Sequence, residues 1–339
     1  DPVVNQWTWM KGPSAVNQTA VYGTQGVPSA ANYPRARGWG SATWVDNAGN
    51  LWLFGGNGNP SSGTGNLNDL WKYNVATNEW TWMKGPNTSN DPGSYGIKGV
   101  SSPANLPPSR YETSCTWTDN TGDLWLYGGY NYSNSSNSYG DLWKYDIATN
   151  EWTWMHGANT INPPAVYGTL GVAAPANTPG GRFVYCSWTD LSGNLWLFGG
   201  GRQGGPEYND LWKYNIAANQ WTWVKGPNAP NNLGNYGAKC VPASSNEPPA
   251  RSENRARVRD VCGNFWNFGG GRSASASLNY NDLWHYNVAA NQWTWVSGDN
   301  IINQVPVYGT QGVSNPANKP GAKMGSVAWV DNKGYIWVF

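Results

Sequence analysis

Arg255, Arg257 and Arg259 alternate along the run Arg251-Ser252-Glu253-Asn254-Arg255-Ala256-Arg257-Val258-Arg259. At a period of two they share one face of an extended strand. Three neighbouring cations repel unless an anion, a carboxylate or water meets them, so the run is the strongest ligand-site candidate in the chain, and its chemistry is recognition of an acidic group. The alternative is a solvated wall. Nucleophilic chemistry has less to stand on: the chain has only two His, His156 and His285, and neither lies in a motif linking it to Ser or Cys. Paired Asp or Glu could in principle hydrolyse glycosides, but the recurring Asp residues are better explained as turn and strand-edge partners.

The elements that must position these groups are repeats. Trp-Thr-Trp occurs at Trp7/Trp9, Trp80/Trp82, Trp152/Trp154, Trp221/Trp223 and Trp293/Trp295, at intervals of 73, 72, 69 and 72 residues. Such a period marks one supersecondary unit copied and stacked. In the first complete copy four strand-sized runs appear, Arg37 to Val45, Leu51 to Phe54, Asp69 to Asn74 and Asn78 to Met83. Turn signals separate them, namely Asp46-Asn47-Ala48-Gly49-Asn50, Gly55-Gly56 and Val75-Ala76-Thr77-Asn78. Aromatic and β-branched runs between such turns predict an antiparallel meander, labelled here strands a to d. Five units of this kind predict an all-β propeller.

The pattern of an Arg, a strand, Gly-Asn-Leu-Trp-Leu-Phe-Gly-Gly, a loop, Asn-Asp-Leu-Trp-Lys-Tyr-Asn and Thr-Asn-Glu-Trp resembles the kelch repeat. The double Gly recurs at 55/56, 128/129, 199/200 and 269/270, and Asp-Leu-Trp begins at 69, 141, 210 and 282. The resemblance is to Trp-rich kelch arrays of secreted bacterial proteins and, more distantly, to the propeller of galactose oxidase. It implies a single β-propeller over 1–339 with strand a innermost and four-stranded antiparallel blades. The units are 37–83, 110–155, 182–224 and 251–296, flanked by an end strand at 1–10 and the first strands of a blade at 323–339. Both ends fall inside a unit, so the chain is expected to be a window of something longer. A copper site would need His and Tyr ligands near the axis. His156 stands where Lys11, Lys84 and Lys225 stand, and His285 where Lys72, Lys144 and Lys213 stand, so both read as surface Lys replacements; no metal or other cofactor is implied.

One departure from kelch is large. From the second Trp of each Trp-Thr-Trp to the Arg or Lys opening the next strand a there are always 28 steps, carrying Tyr-Gly at 22/23, 95/96, 167/168, 236/237 and 308/309. A structureless loop would vary in length, so this connection is expected to be packed, lying over outer strand d with the Trp pair as its bed.

Function is sought where copies differ. From the second Gly to the Asp of strand c the steps number 13, 12, 10 and 12, against a constant 11 from that Asp to the closing Trp. Variable loops on a fixed scaffold are where binding concentrates. These loops carry Tyr130, Tyr132 and Tyr139, then Arg202, Glu207 and Tyr208, then Arg272 and Tyr280. Antiparallel order puts them on the face where Arg37, Arg110, Arg182 and Arg251 open their strands. Those Arg residues either enrich the channel mouth or pair with Asp residues such as Asp69 and Asp141.

Four Cys residues allow three pairings. Cys240 replaces a recurring Gly and Cys262 lies in the a-to-b turn of the same unit, which suggests a bridge. Asn17, Asn87, Asn131 and Asn134 open Asn-X-Ser/Thr triplets.

Charged residues make up 12% of the chain, net charge is +1, and there are 24 Trp and 43 Gly. The field that would draw it to nucleic acid is missing, and no run approaches the roughly 18 apolar residues of a membrane span. Together these features predict an extracellular or cell-surface, non-catalytic structural or adhesive propeller. Its partner would be a protein or glycan on a surface or matrix, or a second copy. The alternatives are a lectin-like binder of glycans or acidic peptides through the b-to-c loops, and a secreted carbohydrate-active enzyme.

Overall fold

The computed structural model describes residues 6–58, 65–113, 115–131, 137–183, 186–202, 205–272 and 278–339, and all regular structure among them is β. Four antiparallel sheets repeat the order a-b-c-d. They are Ala42–Val45, Leu51–Phe54, Leu70–Asn74 and Glu79–Lys84; Thr116–Thr118, Leu124–Tyr127, Leu142–Asp146 and Glu151–His156; Cys186–Thr189, Leu195–Gly201, Glu207–Asn215 and Gln220–Lys225; Ala256–Arg259, Phe265–Phe268, Leu283–Asn287 and Gln292–Ser297. A fifth sheet pairs Ala328–Val330 with Ile336–Val338. These are the four-stranded antiparallel blades that the repeats predict.

Local chemistry explains each meander. Asp46 Oδ1 accepts from the backbone of Ala48 and Asn50, and its Oδ2 takes the Trp52 indole, which closes the a-to-b turn. Between c and d, Asn78, Asn150, Asn219 and Asn291 sit in the left-handed region at φ 56°, 58°, 52° and 53°. Asn is among the few residues that accept this conformation. Each also accepts a Tyr hydroxyl from strand c, as Tyr73 does to Asn78 at 2.7 Å.

The run predicted as one strand from Arg37 to Val45 is broken. Arg37–Gly38 pairs with Asn57–Gly58, and strand a begins only at Ala42. Trp39 and Gly40 have φ of 58° and 63°, which turns the chain between the two pieces. Glu112, Glu253 and Gly325 take the same left-handed conformation.

Three aromatic cores fill the spaces between successive blades. Trp44, Trp52 and Phe54 of the first blade meet Leu124, Leu126, Trp143 and Trp152 of the second, and the next two interfaces copy this arrangement. Trp329 and Trp337 of the last sheet are 48% and 51% exposed, where their counterparts Trp44 and Trp52 are 5% and 1%.

The long connections are packed, with one correction. Gly99, in the connection that follows the first blade, donates to Trp154 O of the second blade at 2.8 Å; Gly171 and Cys240 do the same to Trp223 and Trp295. Each connection therefore covers strand d of the following blade rather than of its own. In the third blade the pairing is regular enough to make Ala173–Ala174 a fifth strand. The cause is the Tyr-Gly signature. The Tyr95 ring lies 5.0 Å from both Trp143 and Trp154, and its hydroxyl donates to Asp141 at 2.7 Å. At Gly96 a Cβ would lie 2.2 Å from Asn105 Oδ1, and the Asn105 amide donates to Trp152 O.

Candidate interaction site at the central cavity

All four strand-opening arginines with a complete blade are internal. Arg37, Arg110, Arg182 and Arg251 pair with Asp69, Asp141, Asp210 and Asp282 at 2.8, 2.7, 2.6 and 2.7 Å. The Arg110 fork is bidentate and also donates to Gly128 O. Burial opposes the Arg110 charge, but Asp141 outweighs burial and holds its pKa above the ordinary arginine value. Each Asp also takes the indole of the Trp two residues on and the Tyr hydroxyl of the preceding connection, as Asp210 does from Trp212 and Tyr167. Removing one member of such a buried pair costs about 3–5 kcal/mol.

These pairs absorb the loop aromatics. Arg110, Arg182 and Arg251 lie 4.2, 4.1 and 4.5 Å from the ring centres of Tyr139, Tyr208 and Tyr280. Tyr130 is 1% exposed and meets Tyr111 edge-on at 5.1 Å. Tyr130 and Tyr280, named with Tyr208 as ligand contacts, are buried, Tyr208 is half-buried, and each ring packs on the arginine or ring beside it. Tyr132 lies outside the described residues. Arg202 donates from Nε to Gly181 O and from Nη2 to Pro163 O. Arg272 stands 3.8 Å from buried Glu207.

The inner strands surround a cavity of about 1080 Å³ lined by residues of the four blades and by Ala328 of the sheet that follows them. Around it the strands a of the second, third and fourth blades are each stitched to the one before. Thr116 and Thr118 donate to Thr43 O and Val45 O, and Ser187 to Thr116 O. In the fourth blade Arg257 Nε donates to Ser187 O at 2.7 Å and Arg259 Nη1 to Thr189 O at 2.8 Å. Two of the three alternating arginines thus occupy stitching positions held elsewhere by Ser and Thr. Arg255 instead reaches Glu112 of the second blade at 3.3 Å, past the third, and Glu253 at 3.7 Å. Burial, then the Glu253 charge, raises the Glu112 pKa to about 7 against the pull of Arg255. Burial raises Glu253 as well. The carboxylates that meet Arg255 were not singled out in the sequence, although Glu112 and Glu253 both stand two residues after a strand-opening Arg.

The remaining expectations fall elsewhere. All four Cys are free, so Cys240 and Cys262 form no bridge. Cys240 sits on the outer edge of strand d through its backbone bond to Trp295, whereas Cys262 sits in the turn leaving the innermost strand. Asn17 and Asn87 are exposed. Asn131 is engaged, donating to Tyr139 and accepting from Asn66, and Asn134 lies outside the described residues. His156 replaces Lys as expected but is buried rather than on the surface. It meets Pro175 O at 3.2 Å, nineteen residues on, as Lys11, Lys84 and Lys225 meet Ala30, Pro103 and Ser244. Burial, then Lys98, lowers its pKa to about 4 and keeps it neutral. Among the described residues no three His, Cys, Asp or Glu side chains are grouped to hold a metal ion, and no helix is long and apolar enough to cross a membrane.

Four-stranded blades locked by a buried Arg–Asp pair around a polar cavity define a kelch-type propeller. The description "KLHDC2/KLHL20/DRC7 Kelch-repeats domain" matches residues 93–306, and the chain belongs to that kelch-repeat family. No curated protein matches it. Membership makes the chain a protein-interaction module; such domains are as a rule non-catalytic.

Proposed function

We propose that this propeller is a non-catalytic structural or adhesive module that works outside the cell and grips an acidic segment of a partner protein at its central cavity. One observation carries the reading. The Arg residues that open each complete repeat are consumed in Arg–Asp pairs, whereas Arg255, Arg257 and Arg259, which break the repeat, line the cavity, with Glu112 and Glu253 against Arg255. The exterior location rests on composition: few charges, with abundant Gly and Trp. A glycan reading draws less support, because the Tyr rings that would stack on sugars are packed against arginines.

The test pairs two measurements on the full chain. Sedimentation reports self-association, expected for an adhesive module, and fluorescence anisotropy reports binding of a labelled Asp/Glu-rich peptide. Substituting Arg255 and Arg257 together should weaken the peptide at least about tenfold. Equal binding by the double variant would remove the cavity from the reading.

A further inference from the structure

Trp39 departs from the repeat in two ways at once. It is 68% exposed, and among the described residues of 37–297 no other Trp is exposed. It also sits in the left-handed region at φ 58°, at the turn where the second, fourth and fifth units place Glu112, Glu253 and Gly325. A bulky residue with positive φ is a genuine outlier, and here burial gives nothing back for the strain. The turn itself does not need the indole. It is held through the backbone, where Trp39 O and Gly40 O accept from Glu112 and Thr113 at 2.9 Å each.

The indole stands beside a polar pair that spans the axis. Trp39, Gly40, Ser41 and Arg255 all line the central cavity. Arg255 crosses from the fourth blade, and a Cβ on Gly40 would lie 3.4 Å from its Nη2 and 2.6 Å from Glu112 Oε2. Glycine at position 40 thus leaves the room that a guanidinium and a carboxyl, themselves 3.3 Å apart, fill against the turn of Trp39. Below them the wall carries the hydroxyls of Ser41, Thr43 and Thr116. A guanidinium donates, a carboxylate accepts and a hydroxyl does either, while an indole face offers an apolar bed.

We infer that the opening of the cavity at Trp39 is a binding site for a pyranose, whose C–H face lies on the indole while neighbouring ring hydroxyls reach Arg255 and Glu112. An aromatic platform beside mixed donors and acceptors suits a neutral polyol, which has an apolar face and a fringe of hydroxyls. The site is independent of the loop tyrosines, whose rings are already packed. It is independent too of the acidic partner segment proposed above, which needs no aromatic platform.

The experiment separates the ring from the turn. Trp39→Gly installs the residue that the fifth unit carries at this turn and that accepts a positive φ, so Tm should stay within about 4 °C of the wild type. Trp39→Phe keeps a platform. Saturation-transfer NMR and calorimetry on the full chain use methyl β-glucoside, methyl β-galactoside and cellopentaose as probes, with choline as the competing cation. At least one sugar should bind the wild type, with saturation strongest at the C–H protons of one ring face. Trp39→Gly should lose at least about tenfold in affinity and Trp39→Phe less than about threefold. No sugar bound by the wild type, or equal affinity in Trp39→Gly, overturns the site. Choline bound in place of the sugars assigns the ring to a cation and overturns the polyol. Binding of an Asp/Glu-rich peptide should be unchanged in Trp39→Gly; its loss in step with the sugar would overturn the independence of the two ligands.

Discussion

Arg110 and Arg257 are both arginines of the inner propeller, and their surroundings are opposites. Arg110 has a bidentate carboxylate, a carbonyl and an aromatic face around one guanidinium. Arg257 has a backbone carbonyl of the preceding blade, two buried thiols nearby and the stranded amide of Asn267 across the sheet. The first is a closed ion pair copied four times, and the second occurs once. The Arg–Asp pairs that recur with the repeat are balanced inside it, whereas Arg257 lines the cavity that the blades share.

The contrast can be tested in order of expected effect. The largest follows from the covering connections: deleting residues 88–105 should expose Trp152 and Trp154 of the second blade. Trp80 and Trp82, which the preceding connection covers, should stay protected. Hydrogen exchange or oxidative footprinting resolved by peptide reads this, and protection lost at Trp80 instead would mean that each connection covers its own blade. Next, Asp141→Ala strands a buried guanidinium and should cost about 3–5 kcal/mol in urea unfolding. Arg257→Ser should cost under about 1 kcal/mol. Equal costs would erase the distinction between the two kinds of arginine.

A pH dependence sharpens the contrast further. Glu112, with its pKa raised from 4.5 to about 7, holds its proton more tightly folded than unfolded. Its contribution is therefore present below about pH 4.5 and lost as pH rises through 7, a loss of about 1–3 kcal/mol. Glu112→Gln should flatten that part of the stability curve. An unchanged slope would place the titration on another group, with Glu253 the first to examine.

Much of the fold was legible because repetition supplied its own controls. Equal spacings located the blades, and the constant length of the connections betrayed their packing. The direction of that packing was not legible, since it depends on Tyr95 reaching Asp141 rather than Asp69, and spacing cannot say which copy of a partner is used. The Arg–Asp alternative for the strand-opening residues was visible in the sequence. The fate of Tyr208 and Tyr280 was not, because variable loops look exposed until the arginine beneath them is placed. Asn267 could have been found: it stands alone where three other copies carry Leu. Its burial, which gives the amide its cost, is a tertiary property that the sequence does not carry.

The one-blade offset of the connections has a consequence for how such arrays grow and shrink. The copied segment and the segment that covers it are out of phase, like overlapping roof tiles, so no single repeat is self-sufficient. Removing one whole period of about 72 residues, wherever the cut falls, rejoins a connection to an equivalent strand d and leaves its outer edge covered. A cut within a connection that is not a whole number of periods leaves a strand d bare. Recombination between copies would then be tolerated only in whole periods, and blade number can change while the register of each joint is preserved.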